Sequence, residues 1–111
     1  MSNLSNNFIA GDWIAGTGTI SNINPSDTHD VIGEYAQASK SQLEDALNSA
    51  QIAQKQWLAT GLEQRQAVLM RIGEEMMARS AELGELLSRE EGKPLAEGKG
   101  EVYRAGQFFT Y

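Results

Sequence analysis

The first third of the chain alternates short apolar runs with turn-forming residues, a pattern typical of small strands. Residues 8–10 and 13–14 flank Gly11-Asp12 and predict a β-hairpin. A further β-like run at 20–23 stops at an Asn-Pro-Ser-Asp tetrapeptide, residues 24–27, which favours a type I turn. Residues 31–38 mix β-branched and aromatic side chains with polar ones and predict another strand.

A helical period replaces this pattern from Ser41 onward. Ser41 and Glu44 form a capping-box pattern, which predicts the start of a first helix, and Gly61 is its predicted end. The apolar residues of this helix recur at helical spacing on one face and comprise Leu43, Ala46, Leu47, Ala50, Ala53 and Trp57.

The second predicted helix begins with the capping pair Thr60 and Glu63 and runs to about Glu91. Gly73 and Gly84 lie inside it, and each costs up to about 1 kcal/mol relative to alanine. Tertiary packing must therefore hold this helix. Its apolar stripe comprises Val68, Leu69, Ile72, Met76, Leu83, Leu86 and Leu87.

A third helix is predicted over residues 95–111. Gly92 is placed to cap the preceding helix, and Pro94 follows where a helix cannot continue backwards. Gly98 and Gly100 weaken the first turns of the third helix. Its predicted contact residues are Val102, Ala105, Phe108 and Phe109.

Composition narrows the class of protein. With 111 residues the chain is one domain at most, or part of one, and 41% hydrophobic residues suffice for a packed core. Nine basic residues are scattered among 15 acidic ones, for a net charge of −6, which argues against nucleic acid and anionic membrane as partners. No apolar stretch approaches the roughly 20 residues that span a bilayer, and no signal-peptide pattern precedes residue 8. We therefore expect a cytoplasmic protein, and a truncation after Tyr111, where the helical pattern ends without a stop signal.

The chain does not match several familiar nucleotide-binding and catalytic motifs. Gly16-Thr17-Gly18 lacks the third glycine of a dinucleotide fingerprint and leads into a strand instead of a helix. Pro94 follows Lys93 where a phosphate-binding loop needs Ser or Thr. His29 is the single histidine, lies in a turn-rich segment and is predicted to be a surface residue. Because the chain has no cysteine and no second histidine, no catalytic and no cofactor-binding residue is assigned.

Two charged residues have both a structural and a functional interpretation. Glu90 lies at the end of a long helix, where the macrodipole disfavours negative charge. Lys93 could offset that charge, or the carboxylate could bind a cation together with backbone carbonyls. Arg104 stands among the apolar residues of the third helix, either as a surface arginine that extends to solvent or as a group facing a pocket, where it grips a carboxylate.

Taken in order, several short motifs resemble the NAD(P)-dependent aldehyde dehydrogenases over residues 8–111. The stretch Gly-Glu-Val-Tyr-Arg-Ala-Gly at 100–106 resembles the α-ketoglutaric semialdehyde (2,5-dioxopentanoate) enzymes especially, with succinate semialdehyde dehydrogenases as the near alternative. The motifs that carry the resemblance are Phe8-Ile9-Ala10-Gly11-Asp12-Trp13, Asn24-Pro25, Ala50 and Ala53 before Trp57, Glu63-Gln64-Arg65, Glu91-Gly92-Lys93-Pro94, and Ala96-Glu97 with Glu101-Val102.

The resemblance implies an α/β fold in which residues 1–111 form the N-terminal part of the cofactor-binding domain. A small β-hairpin unit and two or three long helices would belong to the outer part of a Rossmann-like domain. The family's structural monovalent-cation site would fall on the carbonyls of Asn22 and Ile23 and on Glu90. The third helix would form one wall of the aldehyde access tunnel, with Arg104 and Phe108 toward it.

The resemblance also implies the chemistry of the complete enzyme. A cysteine thiolate would add to a small aldehyde, hydride would pass to NAD or NADP, and water would release the acid. The complete protein would form a homo-oligomer, a dimer or a tetramer, whereas the 111-residue chain alone is expected to be inactive. The rival hypothesis is a non-enzymatic helical interaction module, whose exposed apolar stripes bind a partner.

Overall fold

The structure, a computed structural model, describes residues 4–111. These residues form five strands and four helices in two compact units. The first unit comprises the described residues up to Asn22 together with Gly33–Thr60, and the second comprises Ile23–Ile32 and Gly61–Tyr111.

The predicted hairpin is confirmed in the first unit. Strands β2 (Asn7–Ile9) and β3 (Asp12–Ile14) pair antiparallel, with Phe8 opposite Trp13 and their ring centroids 4.9 Å apart. Ala10 and Gly11 form the turn with φ of 55° and 95°. Positive φ at both central residues matches the right-handed twist of the paired strands.

A three-stranded sheet has the order β1-β5-β4. Strand β1 (Leu4–Ser5) runs parallel to β5 (Val31–Gln37), and β4 (Gly18–Ile23) lies on the other side of β5. These bounds confirm the two strands predicted around the Asn-Pro turn.

Helix α1 (Lys40–Ala59) begins earlier than predicted. Its N-cap is Ser39, which accepts from the backbone of Gln42 at 3.1 Å, while the Gln42 amide oxygen accepts from the Ser39 backbone at 2.9 Å. The predicted capping box of Ser41 and Glu44 is wrong. Glutamine can fill the N3 position as well as glutamate, so Ser39 and Gln42 form the box two residues earlier. No residue of α1 is buried.

The predicted second helix is two helices, α2 (Leu62–Ala78) and α3 (Ser80–Glu91). They meet at Arg79, whose φ of −97° and ψ of 14° interrupt the helix. The guanidinium of Arg79 donates to Glu82 at 2.7 and 2.9 Å. Neither glycine nor proline stands at this point, so the sequence pattern carried no signal of the break.

The predicted cap of that helix is also wrong. The N-cap of α2 is Gly61, and the Thr60 hydroxyl donates instead to the carbonyl of Trp57 in the preceding helix.

Helix α4 (Leu95–Thr110) packs closely on α2 and α3 through glycines. A Cβ on Gly73 would lie 2.6 Å from the carbonyl oxygen of Gly106, and a Cβ on Gly84 would lie 2.5 Å from the Cα of Lys99. The expectation that tertiary packing holds the glycine-containing helices is confirmed. Val102 is buried, as predicted for a contact residue. Phe108 is 74% exposed, so the prediction that it packs against the neighbouring helices is wrong for the described residues 4–111.

No helix within the described part of the chain combines the length and the apolar character that crossing a membrane requires.

Candidate functional site

The Asn-Pro turn packs against the C-terminal end of α3 inside the second unit. The backbone of Asp27 donates to the carbonyl of Asn24 at 3.2 Å, as expected for the predicted turn. The Ser26 hydroxyl donates to the carbonyl of Gly92 at 2.9 Å. Gly92 caps α3 with a left-handed φ of 69°, and a Cβ there would lie 2.6 Å from Ser26 Oγ. Both the conformation and the close approach therefore require glycine.

A bidentate ion pair joins the same two segments. Arg89 donates to both carboxylate oxygens of Asp30, at 2.6 and 2.9 Å, and the amide of Asn24 donates to Asp30 at 3.1 Å. The hydrogen bond from Arg89, followed by that from Asn24, lowers the pKa of Asp30 from 3.8 to about 2. The hydrogen bond to Asp30 likewise raises the pKa of Arg89.

Lys93 connects the end of α3 with α4. Its ammonium donates to both oxygens of Glu101 at 2.8 and 2.9 Å and also pairs with Glu91. The hydrogen bonds from Lys93 to Glu101 and then to Glu91 raise the pKa of the lysine. The Glu-Gly-Lys-Pro stretch is therefore explained by a helix cap, a helix start and a local charge cluster.

The residues predicted for a cation site fall in different units. Asn22 is half-buried in the first unit, whereas Ile23 and the exposed Glu90 belong to the second. No cluster of three or more His, Cys, Asp or Glu suited to a metal occurs within residues 4–111. A site built on two carbonyls and one carboxylate needs no such cluster, so the cation site stays a prediction.

Arg104 and Phe108 line one open groove on α4, of ≈ 390 Å³. The lining residues follow one face of the helix at intervals of three and four and comprise Gly100, Tyr103, Arg104, Gln107, Phe108 and Tyr111. This face lies opposite the buried residues of the same helix, Gly98, Val102 and Gly106. Arg104 is exposed and forms no ion pair or side-chain hydrogen bond with any residue from 4 to 111.

The charge of this groove is opposite in sign to the net charge of the chain. No lining residue is acidic, although the chain carries a net charge of −6. A guanidinium that has no carboxylate partner among residues 4–111, in a groove also lined by aromatic residues and an amide, can bind an anionic group bidentately.

The two residues that the resemblance places toward an access tunnel, Arg104 and Phe108, both line this groove, whereas its other four lining residues were not predicted. Steps of three and four residues from Arg104 and Phe108 lead to Gly100, Gln107 and Tyr111, and a step of three from Gly100 leads to Tyr103. Sequence reasoning also missed two ion pairs, Asp30 with Arg89 and Lys93 with Glu101. The partners are 59 and 8 residues apart, respectively, and no local periodicity links them. His29 is a surface residue as predicted, with its side chain 97% exposed.

Comparisons with known proteins agree with the resemblance. The model of the aldehyde dehydrogenase family matches residues 13–111. The chain is similar to N-succinylglutamate 5-semialdehyde dehydrogenase of Chromobacterium violaceum, with 39% identity over 89% of this chain and 20% of that protein. It is also similar to α-ketoglutarate semialdehyde dehydrogenase of Haloferax volcanii, with 32% identity over 100% of this chain and 23% of that protein.

A solved structure gives the same result for the fold. A NAD-dependent benzaldehyde dehydrogenase from Corynebacterium glutamicum has a TM-score of 0.88 at 31% identity, over 96% of this chain and 23% of that one. The chain spans about a fifth of the length of the curated relatives it matches.

Proposed function

Since this chain belongs to the aldehyde dehydrogenase family, we propose that it serves as the N-terminal part of the cofactor-binding domain in an NAD(P)-dependent enzyme that oxidises a short acidic semialdehyde to the carboxylic acid. The observation that carries the proposal is the family match over residues 13–111, together with relatives that are named for semialdehydes. Family membership favours this enzyme over the helical interaction module.

The α4 groove supports an anionic substrate. Arg104 is a cation without a carboxylate partner in the described part of the chain, and Phe108 lies one turn further along the same face. Such an arrangement would hold the carboxylate of the substrate at the end remote from the aldehyde and pack against its methylenes. Binding the remote end orients the aldehyde for the reaction, and orientation lowers the barrier.

The reaction itself lies with residues outside this segment. The chain contains no cysteine, and none of its glycine-containing loops fits a nucleotide phosphate. We therefore assign no catalytic or cofactor-binding residue within it. The nicotinamide cofactor supplies the acceptor for the hydride that leaves the aldehyde carbon. The part played by residues 4–111 is to bind and orient the substrate.

The substrate class is tested by comparing acidic and neutral aldehydes of equal length. In a complete enzyme that contains residues 1–111, we expect the kcat/KM of NAD or NADP reduction to be roughly tenfold or more higher with 2,5-dioxopentanoate or succinate semialdehyde than with pentanal or butanal. The isolated 111-residue chain should reduce neither cofactor. A complete enzyme that prefers the neutral aldehydes, or oxidises none, would contradict the proposal.

A structural monovalent cation bound by the carbonyls of Asn22 and Ile23 and by Glu90 is a second part of the proposal. Carboxylate and carbonyl oxygens are ligands that suit a hard cation. The thermal midpoint of the complete enzyme should rise when sodium or potassium replaces choline at constant ionic strength. Glu90→Gln should abolish that rise, and a rise that persists in the variant would exclude Glu90 as a ligand. The homo-oligomer and the cytoplasmic location stay predictions.

A further inference from the structure

Helix α4 contains three glycines, and packing accounts for two of them. A Cβ on Gly98 would lie 2.5 Å from the carbonyl oxygen of Gly84. A Cβ on Gly106 would lie 2.7 Å from the Cγ of Met77 and 2.8 Å from the carbonyl oxygen of Gly73. At these two positions any larger residue would force α4 away from its neighbours.

Packing among the described residues does not explain the glycine at position 100. A Cβ at this position would meet no atom within 4 Å, and the φ of Gly100 is not positive. Glycine in a helix interior is destabilising relative to alanine. The fold of residues 4–111 therefore gains nothing from glycine here and is weakened by it.

The position of Gly100 suggests what the missing side chain makes room for. Gly100 lines the α4 groove one helical turn before Arg104. Long side chains on a helix lean toward its N-terminus and cover the preceding turn. This general rule places the side chain of Arg104 over the turn that contains Gly100, and the space that a Cβ of residue 100 would occupy has no atom within 4 Å.

We propose that Gly100 is a specificity-determining residue, which keeps the α4 groove open beside Arg104 so that the carboxylate end of an acidic semialdehyde can reach the guanidinium. This inference rests on the proposed function of the groove. An alanine methyl at position 100 would narrow the space, and the branched side chain of valine would fill more of it. A short neutral aldehyde, which has no group to place beside Arg104, would be affected far less.

The test compares Gly100→Ala and Gly100→Val with the wild type in the complete enzyme. For succinate semialdehyde we expect kcat/KM to fall roughly tenfold in the valine variant and by a smaller factor in the alanine variant, mainly through KM. For propanal both variants should retain the wild-type value. Gly61→Ala is the matched control, because Gly61 also has open space around it but lies outside the groove. This variant should leave the kcat/KM for both aldehydes unchanged.

Thermal unfolding separates specificity from a general loss of structure. Gly100→Ala should unfold at the wild-type temperature or above it, so this variant decides the question if Gly100→Val does not fold. Unchanged kinetics for succinate semialdehyde in Gly100→Ala, or equal losses for both aldehydes, would overturn the inference and leave the proposed function standing. A wild-type enzyme inactive toward every acidic semialdehyde would overturn both.

Discussion

At the scale of single residues, the Asn-Pro turn is attached to the end of α3 by groups far apart in sequence. Asp30 and Arg89 form the bidentate pair, and Ser26 donates to the carbonyl of Gly92. Side-chain exposures of 27% for Asp30 and 37% for Arg89 leave the pair partly open to solvent, which screens it. The pair therefore serves more to position the turn than to supply net stability.

The lowered pKa of Asp30 predicts a specific response to acid. Because its folded pKa of about 2 lies below the 3.8 of an unperturbed aspartate, Asp30 contributes stability above pH 3.8 and loses that contribution as pH falls toward 2. Asp30→Asn should therefore lose less stability than the wild type over this interval, as measured by urea unfolding followed by circular dichroism. Asp45→Asn, at an exposed position on α1, is the control and should lose as much stability as the wild type over the same pH interval. Equal losses in Asp30→Asn and the wild type would contradict this account.

At the scale of elements, the packing of α4 on α2 and α3 depends on backbone atoms that approach one another at glycines. Gly73 faces Gly106, and Gly84 faces the turn that contains Gly98 and Lys99. The buried Ser88 hydroxyl donates to the carbonyl of Gly84 at 2.8 Å, so a polar group at this interface is satisfied within its own helix. Small residues thus bring the helices together where larger ones would separate them.

Two glycines in α4, two residues apart, should respond oppositely to alanine. Gly98→Ala should destabilise the chain by about 1–3 kcal/mol, because the added methyl overlaps Gly84 and Ser88. Gly100→Ala should stabilise it by up to about 1 kcal/mol, because its Cβ meets open space. Urea unfolding of the two variants and the wild type measures both effects. A stabilising Gly98→Ala would show that α4 does not approach α3 as closely as described.

The sequence predicted the elements better than their ends. The hairpin at Gly11, the cap at Gly92 and the start of α4 follow from residue types with strong local preferences. The break at Arg79 could not be predicted, because it follows from dihedral angles at one residue that no glycine or proline marks. The exposure of Phe108 was missed because Phe108 and Phe109 are adjacent, and composition alone does not say which of the two faces the neighbouring helices.

At the scale of the whole molecule, family membership and the α4 groove support the proposal that the segment takes part in substrate binding. The family match covers residues 13–111, while the chain spans about a fifth of the curated relatives and contains no cysteine. Residues 4–111 provide a groove that contains Arg104, which has no ion-pair partner among them, in a chain whose net charge is −6. The central claim is that Arg104 recognises the carboxylate of the substrate.

The most direct test of that claim is the substrate preference of Arg104→Ala in the complete enzyme. With succinate semialdehyde, the kcat/KM of this variant should fall roughly tenfold to a hundredfold, which corresponds to about 1.5–3 kcal/mol of lost transition-state binding. With butanal, its kcat/KM should remain near the wild-type value. Arg71→Ala is the matched control, because Arg71 lies in a different groove and should leave both values unchanged. Equal losses with the acidic and the neutral aldehyde in Arg104→Ala would contradict the claim.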